Sequence, residues 1–276
     1  LMIAIGFKGG VSVATVSAVS TQMVLTIMMG VLISFLQPFL CYFLLQYKAI
    51  DKPTAAAIAA NYGSISIVTF VAATNVLNLN NISYAGYIVA VVALMEAPAI
   101  VSGLFIANKK AEKTIKTSFN AKELLSNGTI LLLILSFIVG WITGKPGFDK
   151  MAGFIDTPFQ GILALFLLDM GLKVSRELEK MKGFSFKLAL FGIYMPMIGA
   201  TIGLLISLML SLDLGTGILF MILCASASYI AVPAAMRTAL PEAQVAIYMP
   251  MSLAITFPFN IALGIPIYFS IAKALL

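Results

Sequence analysis

The sequence predicts an all-α, polytopic membrane protein. Of its 276 residues, 61% are hydrophobic and only 10% are charged, and the mean hydropathy is +1.05. Soluble domains carry about 25% charged and 45–50% apolar residues, so this chain has too little polar surface to cover a water-soluble globule. The second observation is a series of long apolar runs separated by short connections rich in charged or turn-forming residues. Lipid is therefore expected to surround much of the molecule.

Eight apolar runs are interpreted as membrane spans because most are about 20 residues long. Residues 1–5 resemble the end of a helix that begins earlier, and residues 9–21, which are small and polar, are expected to form a loop or a short surface helix. The run at 158–172 is short for a full crossing. The eight predicted spans are 22–47, 54–78, 83–107, 128–144, 158–172, 186–210, 215–238 and 243–272.

Lysine and arginine are concentrated in alternate connections between the runs. One side carries 13 of the 17 basic residues, and the other side carries only Lys8, Lys145, Lys150 and Lys273. The positive-inside rule places the basic side in the cytoplasm and the C-terminus outside. This topology accounts for the net charge of +6 without a nucleic-acid partner. The basic side contains Lys48, Lys52, Lys109, Lys110, Lys113, Lys116, Lys122, Lys173, Arg176, Lys180, Lys182, Lys187 and Arg237.

Several kinds of chemistry lack their usual residues. The sequence has no histidine, no CxxC or HExxH motif and no Walker A motif, which removes the commonest general base, the usual zinc sites and nucleotide hydrolysis by this chain. Both cysteines, Cys41 and Cys224, lie inside apolar runs. We therefore expect no enzymatic activity and no organic cofactor, and transport driven by an ion gradient is the simplest function.

A weak internal repeat organises the chain. Ile5–Lys8 recurs as Met170–Lys173, and each copy is followed by a long helix, an apolar run interrupted by small polar residues, and a run with a central proline, Pro98 or Pro258. The two copies place Lys8 and Lys173 on opposite sides, so the repeat is inverted. Inverted repeats with interrupted helices at matching positions are typical of secondary transporters.

The repeat predicts the division of the chain. We expect a first repeat at 1–107, a cytoplasmic linker at 108–124 and a second repeat at 125–276. The second copy has residues 125–169 before its Gly-Leu-Lys motif, whereas the first has only five residues before the matching point. The first repeat is therefore predicted to lack its first span and part of the second, and the complete protein would have ten spans in two halves of five.

The interruptions predict the substrate site. A broken helix leaves amides without partners at the start of its second half, where the helix dipole is positive, and such ends bind anions. Unwound carbonyls can bind Na⁺. The alternative is that these serines and threonines bond back to their own helices or allow close helix packing. The polar residues of the two interruptions are Gly63, Ser64, Ser66 and Thr69 in the first half and Ser226 and Ser228 in the second.

Two acidic residues lie inside predicted spans, Glu96 and Asp169. An unpaired carboxylate in the membrane is costly, so each is a candidate for cation coordination or proton transfer. The alternative is that each caps a helix end or bonds to nearby amides. Asp169 also lies four residues before Lys173, which favours an ion pair on one helix face.

Several short motifs follow one another in a particular order and spacing along the chain. They are Tyr62–Thr69, Ile82–Tyr84, Met95–Val101, Met170–Leu172, Ala225–Ile230, Pro233, Arg237 and Pro241. In the order and spacing of these motifs, essentially the whole chain resembles the sodium-dependent bicarbonate transporter family, best known from cyanobacteria.

The resemblance implies a five-plus-five inverted repeat in which a core domain moves against a gate domain. It implies Na⁺-coupled bicarbonate uptake across a bacterial inner membrane, a homotrimer, and control by a PII-like protein on the cytoplasmic face. Matching positions make Gly63, Ser64, Ser66, Ser226 and Ser228 substrate-binding residues. They also make Thr69 and Glu96 candidates for cation binding. Asp169, because it lies inside a predicted span, and Tyr229, at the position of a family aspartate, complete the list of candidates for cation binding.

The chain departs from the family at Tyr229, where cyanobacterial members have an aspartate. Ala231 and Val232 are also changed. A phenol cannot replace a carboxylate as a Na⁺ ligand of the same geometry. Transport of another small carboxylate or anion, and H⁺ coupling through Glu96, therefore remain alternatives. A membrane receptor or scaffold that recruits a soluble regulator through 108–124 and 173–187 is a third interpretation, although a scaffold needs no broken helix.

Overall fold

The computed structural model describes residues 2–14, 20–45, 50–107, 128–180 and 185–276. Within these ranges every regular element is helical. The predicted linker at 108–124 lies outside the described residues. The helices are α1 Met2–Ala14, α2 Thr21–Leu45, α3 Lys52–Gly63, α4 Ile67–Leu79, α5 Ile88–Leu94, α6 Glu96–Ala107, α7 Gly128–Ile155, α8 Phe159–Lys180, α9 Phe186–Met209, α10 Leu214–Ala225, α11 Ala231–Ala239 and α12 Val245–Leu275.

Five of these units are long and apolar enough to cross a membrane. They are α2, α3 with α4, α5 with α6, α9, and α12. A sixth is obtained if α7 and α8, which bend by 54° at their junction, are counted as one broken span, and α10 is a shorter apolar helix. The protein is therefore an all-helical, multi-pass membrane protein, as the composition predicts.

The predicted runs coincide closely with the helices, but two details differ. Residues 9–14, expected in a loop or short surface helix, continue α1. Small residues there allow close approach to α7: a Cβ at Gly10 would lie 2.0 Å from the Phe137 carbonyl oxygen, and one at Gly140 would lie 2.2 Å from the Phe7 carbonyl oxygen. In lipid, helices pack closely through small residues rather than through large apolar ones. The low hydropathy of residues 9–14 is therefore compatible with a packed helix, and the expected loop or short surface helix is wrong.

The second difference is that α7 continues past the predicted end of the span 128–144. Gly144 adopts φ 57° and ψ −154°, which interrupts the helix at the predicted boundary, and helical structure resumes through Ile155. Glycine takes this conformation at little steric cost. Pro146, two residues later, has no amide hydrogen to donate to the hydrogen bonds of the helix.

The broken helices lie at the centre of the molecule. The most apolar part of α3–α4 is 94% buried, whereas that of α2 is 33% buried, so other helices shield α3–α4 from lipid. One apolar cluster contains residues of α4, α5 and α10, and a second contains residues of α3, α9 and α11. Each broken span thus passes from one cluster to the other at its break. Irregular backbone at membrane depth requires this kind of protein cover.

The last span, α12, has an unusual backbone. It widens into π-helical turns at Met251–Thr256 and Asn260–Gly264. Pro250 and Pro258 cannot donate to the ladder, and π-turns occur frequently at functional sites. On this helix Ser252, Thr256 and Asn260 are all buried and, at spacings of four residues, face the broken helices.

Candidate functional site

Both predicted interruptions are real breaks in the backbone. The first separates α3 from α4: Ser64 and Ser66 are extended, with φ/ψ of −94°/178° and −106°/108°. The second separates α10 from α11, and Ser226 there has φ −88° and ψ 166°. The side chains of Ser64, Ser66, Ser226 and Ser228 are all buried.

The two breaks cross and bond to each other reciprocally. The Ser66 amide donates to the Ser226 hydroxyl oxygen at 3.0 Å, and the Ser228 amide donates to the Asn61 carbonyl at 2.8 Å. Each break thus supplies an acceptor for an amide of the other that has no helical partner. The structure therefore brings together the two serine clusters, which lie 162 positions apart in the chain.

The hydroxyls at the crossing have different roles. Ser226 donates to the Leu223 carbonyl at 2.9 Å while accepting from Ser66, so its proton is engaged within the protein. Ser66 accepts from both the amide and the hydroxyl of Thr69, at 3.2 Å and 2.9 Å, which leaves its own proton available. Ser228 accepts from the Val232 amide at 3.3 Å and likewise has a proton to donate.

Two further hydroxyls at the crossing have no partner. Ser64 Oγ and Tyr229 Oη are buried without a hydrogen bond. Tyr229 faces Ser66 and packs its ring on Phe257 at 5.3 Å between centroids. Buried polar groups in proteins normally have partners, so these two hydroxyls are available to a ligand.

The carbonyl ends of α3 and α10 are held by amide side chains that the sequence reasoning missed. Gln37 Nε2 donates to the carbonyls of both Tyr62, at 2.6 Å, and Cys224, at 2.9 Å. Asn260 Nδ2 donates to the Ala225 carbonyl at 2.9 Å. Gln37 and Asn260 are both amide side chains with mostly apolar residues on either side in the sequence. A polar residue inside an apolar run is the signal by which the sequence could have indicated them.

Residues of α12 complete this support. Asn61 Nδ2 donates to the Tyr248 carbonyl at 3.2 Å and to Ser252 Oγ at 3.1 Å. Tyr62 Oη lies 2.6 Å from Thr256 Oγ1, and Thr256 donates onward to the Gly192 carbonyl at 2.7 Å. The buried polar residues Ser252 and Thr256 of α12 therefore position the last turn of α3.

The first turns of α3 and α10 are capped in the same way. Asp51 accepts from the Thr54 amide at 3.1 Å, and Asp213 accepts from the Thr216 amide at 2.9 Å. Each threonine hydroxyl then accepts a backbone amide from the other half of the chain, Gln244 onto Thr54 and Ala85 onto Thr216, both at 2.8 Å. Asp51 and Asp213 are also 162 residues apart, the same offset as the serines.

The two acidic candidates lie in different environments. Glu96 begins α6 after a break at Met95 and is 3% exposed, and its Oε2 has no partner. Asp169 lies on α8 with a half-exposed side chain that pairs with Lys173 at 2.8 Å. Among the described contacts no hydrogen bond joins Asp169 to either break, so the structure does not bring it into the crossing.

Comparison with known proteins identifies the family of the chain. No curated protein matches the chain. The family model described as the Na⁺-dependent bicarbonate transporter superfamily matches residues 1–273, which is nearly the full length and includes both breaks. The resemblance carried by the motifs is thereby confirmed, and the chain belongs to the Na⁺-dependent bicarbonate transporter superfamily.

Proposed function

We propose that this protein imports bicarbonate with Na⁺ by alternating access across a bacterial inner membrane, with its C-terminus outside. One observation carries the proposal beyond family membership: two broken helices cross at the centre of the molecule with hydroxyls that the protein leaves without acceptors. A scaffold has no need of this arrangement, whereas a carrier needs a small, shielded polar site.

The chemistry of the crossing suits an oxyanion. Ser64, Ser66, Ser228 and Tyr229 each have a hydroxyl proton that no described hydrogen bond uses. Ser66 and Ser228 accept one early amide each, from Thr69 and Val232, and the other amides of the first turns of α4 and α11 have no helical acceptors. Hydroxyl and amide donors at positive helix ends stabilise a carboxylate-like anion. Gly63 lets the backbone approach closely, and Ser226 holds the two breaks together. Bicarbonate, with three oxygen atoms, fits this donor set.

Alternating access requires two halves that can move against each other, and we propose that these halves are an inverted repeat. The matched caps and serines share one offset, 162 residues, and support two halves at 1–107 and 125–276 joined by the linker 108–124. We place α2–α6 and α9–α12 in the core domain and α1, α7 and α8 in the gate domain. The family resemblance implies five plus five spans, a homotrimer and a PII-like regulator at the cytoplasmic face, and we propose the same for this protein.

The proposed candidates for binding the coupling cation near the first break are Thr69, Glu96 and Tyr229. Asp169 stays a separate prediction, because it pairs with Lys173 and no described contact joins it to the crossing. Thr69 lies at the first break and hydrogen-bonds Ser66, so a cation there would be adjacent to the anion. Tyr229 supplies a neutral oxygen where cyanobacterial relatives have a carboxylate. That difference favours a second candidate function, transport of another small carboxylate or H⁺-coupled transport, because the described crossing itself contains no carboxylate.

Uptake measurements test the function. The full-length protein in proteoliposomes is expected to accumulate ¹⁴C-bicarbonate only when an inward Na⁺ gradient is imposed, because Na⁺ offsets the charge of the anion in the membrane. Empty liposomes provide the background. Uptake that is equal with and without Na⁺ would reject sodium coupling, and no uptake in either condition would reject bicarbonate as the substrate.

Serine variants test the site. Ser66→Ala and Ser228→Ala are each expected to weaken bicarbonate binding by about ten- to a hundredfold, since a lost hydrogen bond to a charged group costs roughly 1.5–3 kcal/mol. The matched control is Ser102→Ala, because Ser102 is buried in the membrane but bonds back to the Pro98 carbonyl at 3.0 Å. Equal affinity in all three variants, measured by calorimetry, would return Ser66 and Ser228 to purely structural roles.

A further inference from the structure

Unsatisfied oxygen atoms gather around one turn of α2. In the described part of the chain, six buried side-chain atoms have no hydrogen-bond partner. One of them, Gln37 Oε1, belongs to the turn at residues 34–38. Two others, Ser64 Oγ and Glu96 Oε2, belong to residues that directly follow Gly63 and Met95, which both contact this turn. Buried polar atoms are costly when unpaired. Three such oxygen atoms beside one helical turn therefore require an explanation.

Gln37 contributes an oxygen that the protein cannot satisfy. Both hydrogen bonds of its Nε2 are made, to the Tyr62 and Cys224 carbonyls, and the side chain is 5% exposed. The reverse orientation of the amide would set its oxygen against those two carbonyls. The amide orientation is thus fixed by chemistry, and Oε1 is left as a bare acceptor next to the end of α3.

Pro38 frees a second oxygen on the same turn. Because proline has no amide hydrogen, the Ser34 carbonyl four residues earlier loses its helical donor. That carbonyl oxygen lies 3.0 Å from where a Cβ on Gly63 would be, and the Pro38 ring lies against the same position. The freed carbonyl therefore faces the first break at Gly63, the residue that precedes Ser64.

Ser34 also connects this turn to Glu96. Its hydroxyl donates to the Met95 carbonyl, which precedes Glu96 in the chain, and α6 packs against both α2 and α3. Glu96 is buried with no cationic partner among the described residues. An ionised carboxylate in this position needs a compensating positive charge.

The electrostatics of the turn favour a cation. The carbonyl ends of α3 and α10, which carry partial negative charge, converge on Gln37. All the unsatisfied atoms are oxygens, which are the ligands of hard cations, and unwound carbonyls bind Na⁺ in broken-helix transporters. An anion would be repelled here, whereas it would be attracted to the opposite ends of the same breaks.

We propose that the α2 turn at residues 34–38 forms a Na⁺ site, with Gln37 Oε1, the Ser34 carbonyl, Ser64 Oγ and Glu96 as its oxygen ligands. The identity of the ion rests on the proposed function. Ser64 joins this site to the anion site, because its hydroxyl oxygen can contact Na⁺ while its proton bonds to the anion. The two ligands would then be bound side by side, which couples them.

Thermal unfolding of the purified full-length protein tests the cation site without bicarbonate. NaCl is titrated at constant ionic strength against KCl and choline chloride, since a ligand that binds only the folded state raises the melting temperature. Wild type is expected to be stabilised by Na⁺ selectively. Gln37→Met and Glu96→Gln are expected to raise the half-saturating Na⁺ concentration at least tenfold.

A matched control lies on the same helix. Gln22 also bridges two backbone carbonyls, those of Leu210 and Ser211, but it is outside the proposed site, so Gln22→Met is expected to leave the Na⁺ dependence unchanged. If Gln37→Met does not fold, Ser64→Ala replaces it. Its Na⁺ half-saturation is expected to rise severalfold.

The outcomes separate this site from the proposed function. Wild-type Na⁺ affinity in both Gln37→Met and Glu96→Gln would overturn the site, even if bicarbonate uptake requires Na⁺. Stabilisation by K⁺ equal to that by Na⁺, or a pH-dependent stability that Glu96→Gln removes without any effect of Na⁺, would also overturn it and assign Glu96 to a proton. Na⁺-selective stabilisation lost in the variants, without bicarbonate uptake, would support the site and reject the substrate.

Discussion

Gly63 shows how much depends on the absence of a side chain at the first break. A Cβ at this position would lie 2.2 Å from Pro38 Cγ, 2.5 Å from Pro38 Cδ and 3.0 Å from the Ser34 carbonyl oxygen. The proline ring is rigid and the carbonyl belongs to the backbone, so neither can move aside easily. Gly63 therefore sets the distance between α2 and the broken span.

We expect Gly63→Ala to destabilise the protein by about 1–3 kcal/mol, the usual cost of overpacking a core. Melting temperature in detergent measures the effect. Gly153→Ala is the matched control: a Cβ there meets nothing within 4 Å, and alanine is the better helix former by about 1 kcal/mol. A melting temperature for Gly63→Ala equal to that of Gly153→Ala would contradict the close packing.

At this scale the sequence predicts some site residues better than others. Ser64, Ser66, Ser226 and Ser228 are recognisable because small polar residues cluster in otherwise apolar runs. The separate roles of these four serines cannot be predicted in the same way. Whether a hydroxyl proton is available depends on contacts in the folded protein, such as the hydrogen bond that Ser226 donates to the Leu223 carbonyl. Gln37 was missed for the same reason, since its partners lie 25 and 187 residues away.

The N-terminal caps of α3 and α10 are the clearest feature that two helices have in common. An aspartate at the N-cap satisfies an amide in the first turn, and the threonine three residues later receives an amide from the other half. The Asp-x-x-Thr pattern is visible in the sequence, but its partners Gln244 and Ala85 could not be predicted, because a backbone amide leaves no trace in residue type.

The cap of α3 makes a pH prediction. Burial raises the pKa of Asp51, but hydrogen bonds from Thr54 and Gln244 outweigh it and lower the pKa below its usual value. Stability from this carboxylate is therefore complete above the unfolded-state pKa of about 3.9 and is lost as the pH falls through the lower folded-state pKa. Asp51→Asn should lower the melting temperature at neutral pH, with a difference from wild type that shrinks below pH 4.

The control for this cap is Asp149→Asn. Asp149 is exposed on α7 and makes no hydrogen bond or ion pair among the described contacts. This variant should follow wild type across the pH range. A difference between Asp51→Asn and wild type that stays constant from pH 7 to pH 3 would show that the ionised form of Asp51 contributes nothing to the fold.

Contacts across the whole molecule agree with the alternation of connections that the basic residues predict. Asp51 and Gln244, which both lie on the predicted cytoplasmic side, bond at 2.8 Å. Lys8 and Asp156, both predicted outside, form an ion pair. Each pair joins connections assigned to one side of the membrane, although neither contact says which side is the cytoplasm.

Introduced cysteines test the orientation of the protein in the membrane. Cys41 and Cys224 are both buried and should not react, so Lys273→Cys and Lys52→Cys, both at exposed positions, provide matched reporters. A membrane-impermeant maleimide is expected to label Lys273→Cys in intact cells and Lys52→Cys only after permeabilisation. The opposite pattern would invert the topology and contradict the positive-inside assignment.

The reciprocal bonds at the crossing also bear on how such a protein is assembled. The Ser66 amide finds its acceptor in the second half, and the Ser228 amide finds its acceptor in the first. During synthesis the first half enters the bilayer with a polar break that nothing yet covers. The hydrogen-bond partners of this break are therefore expected to be missing until the second half is inserted, so that the crossing can form only when both halves are in the membrane.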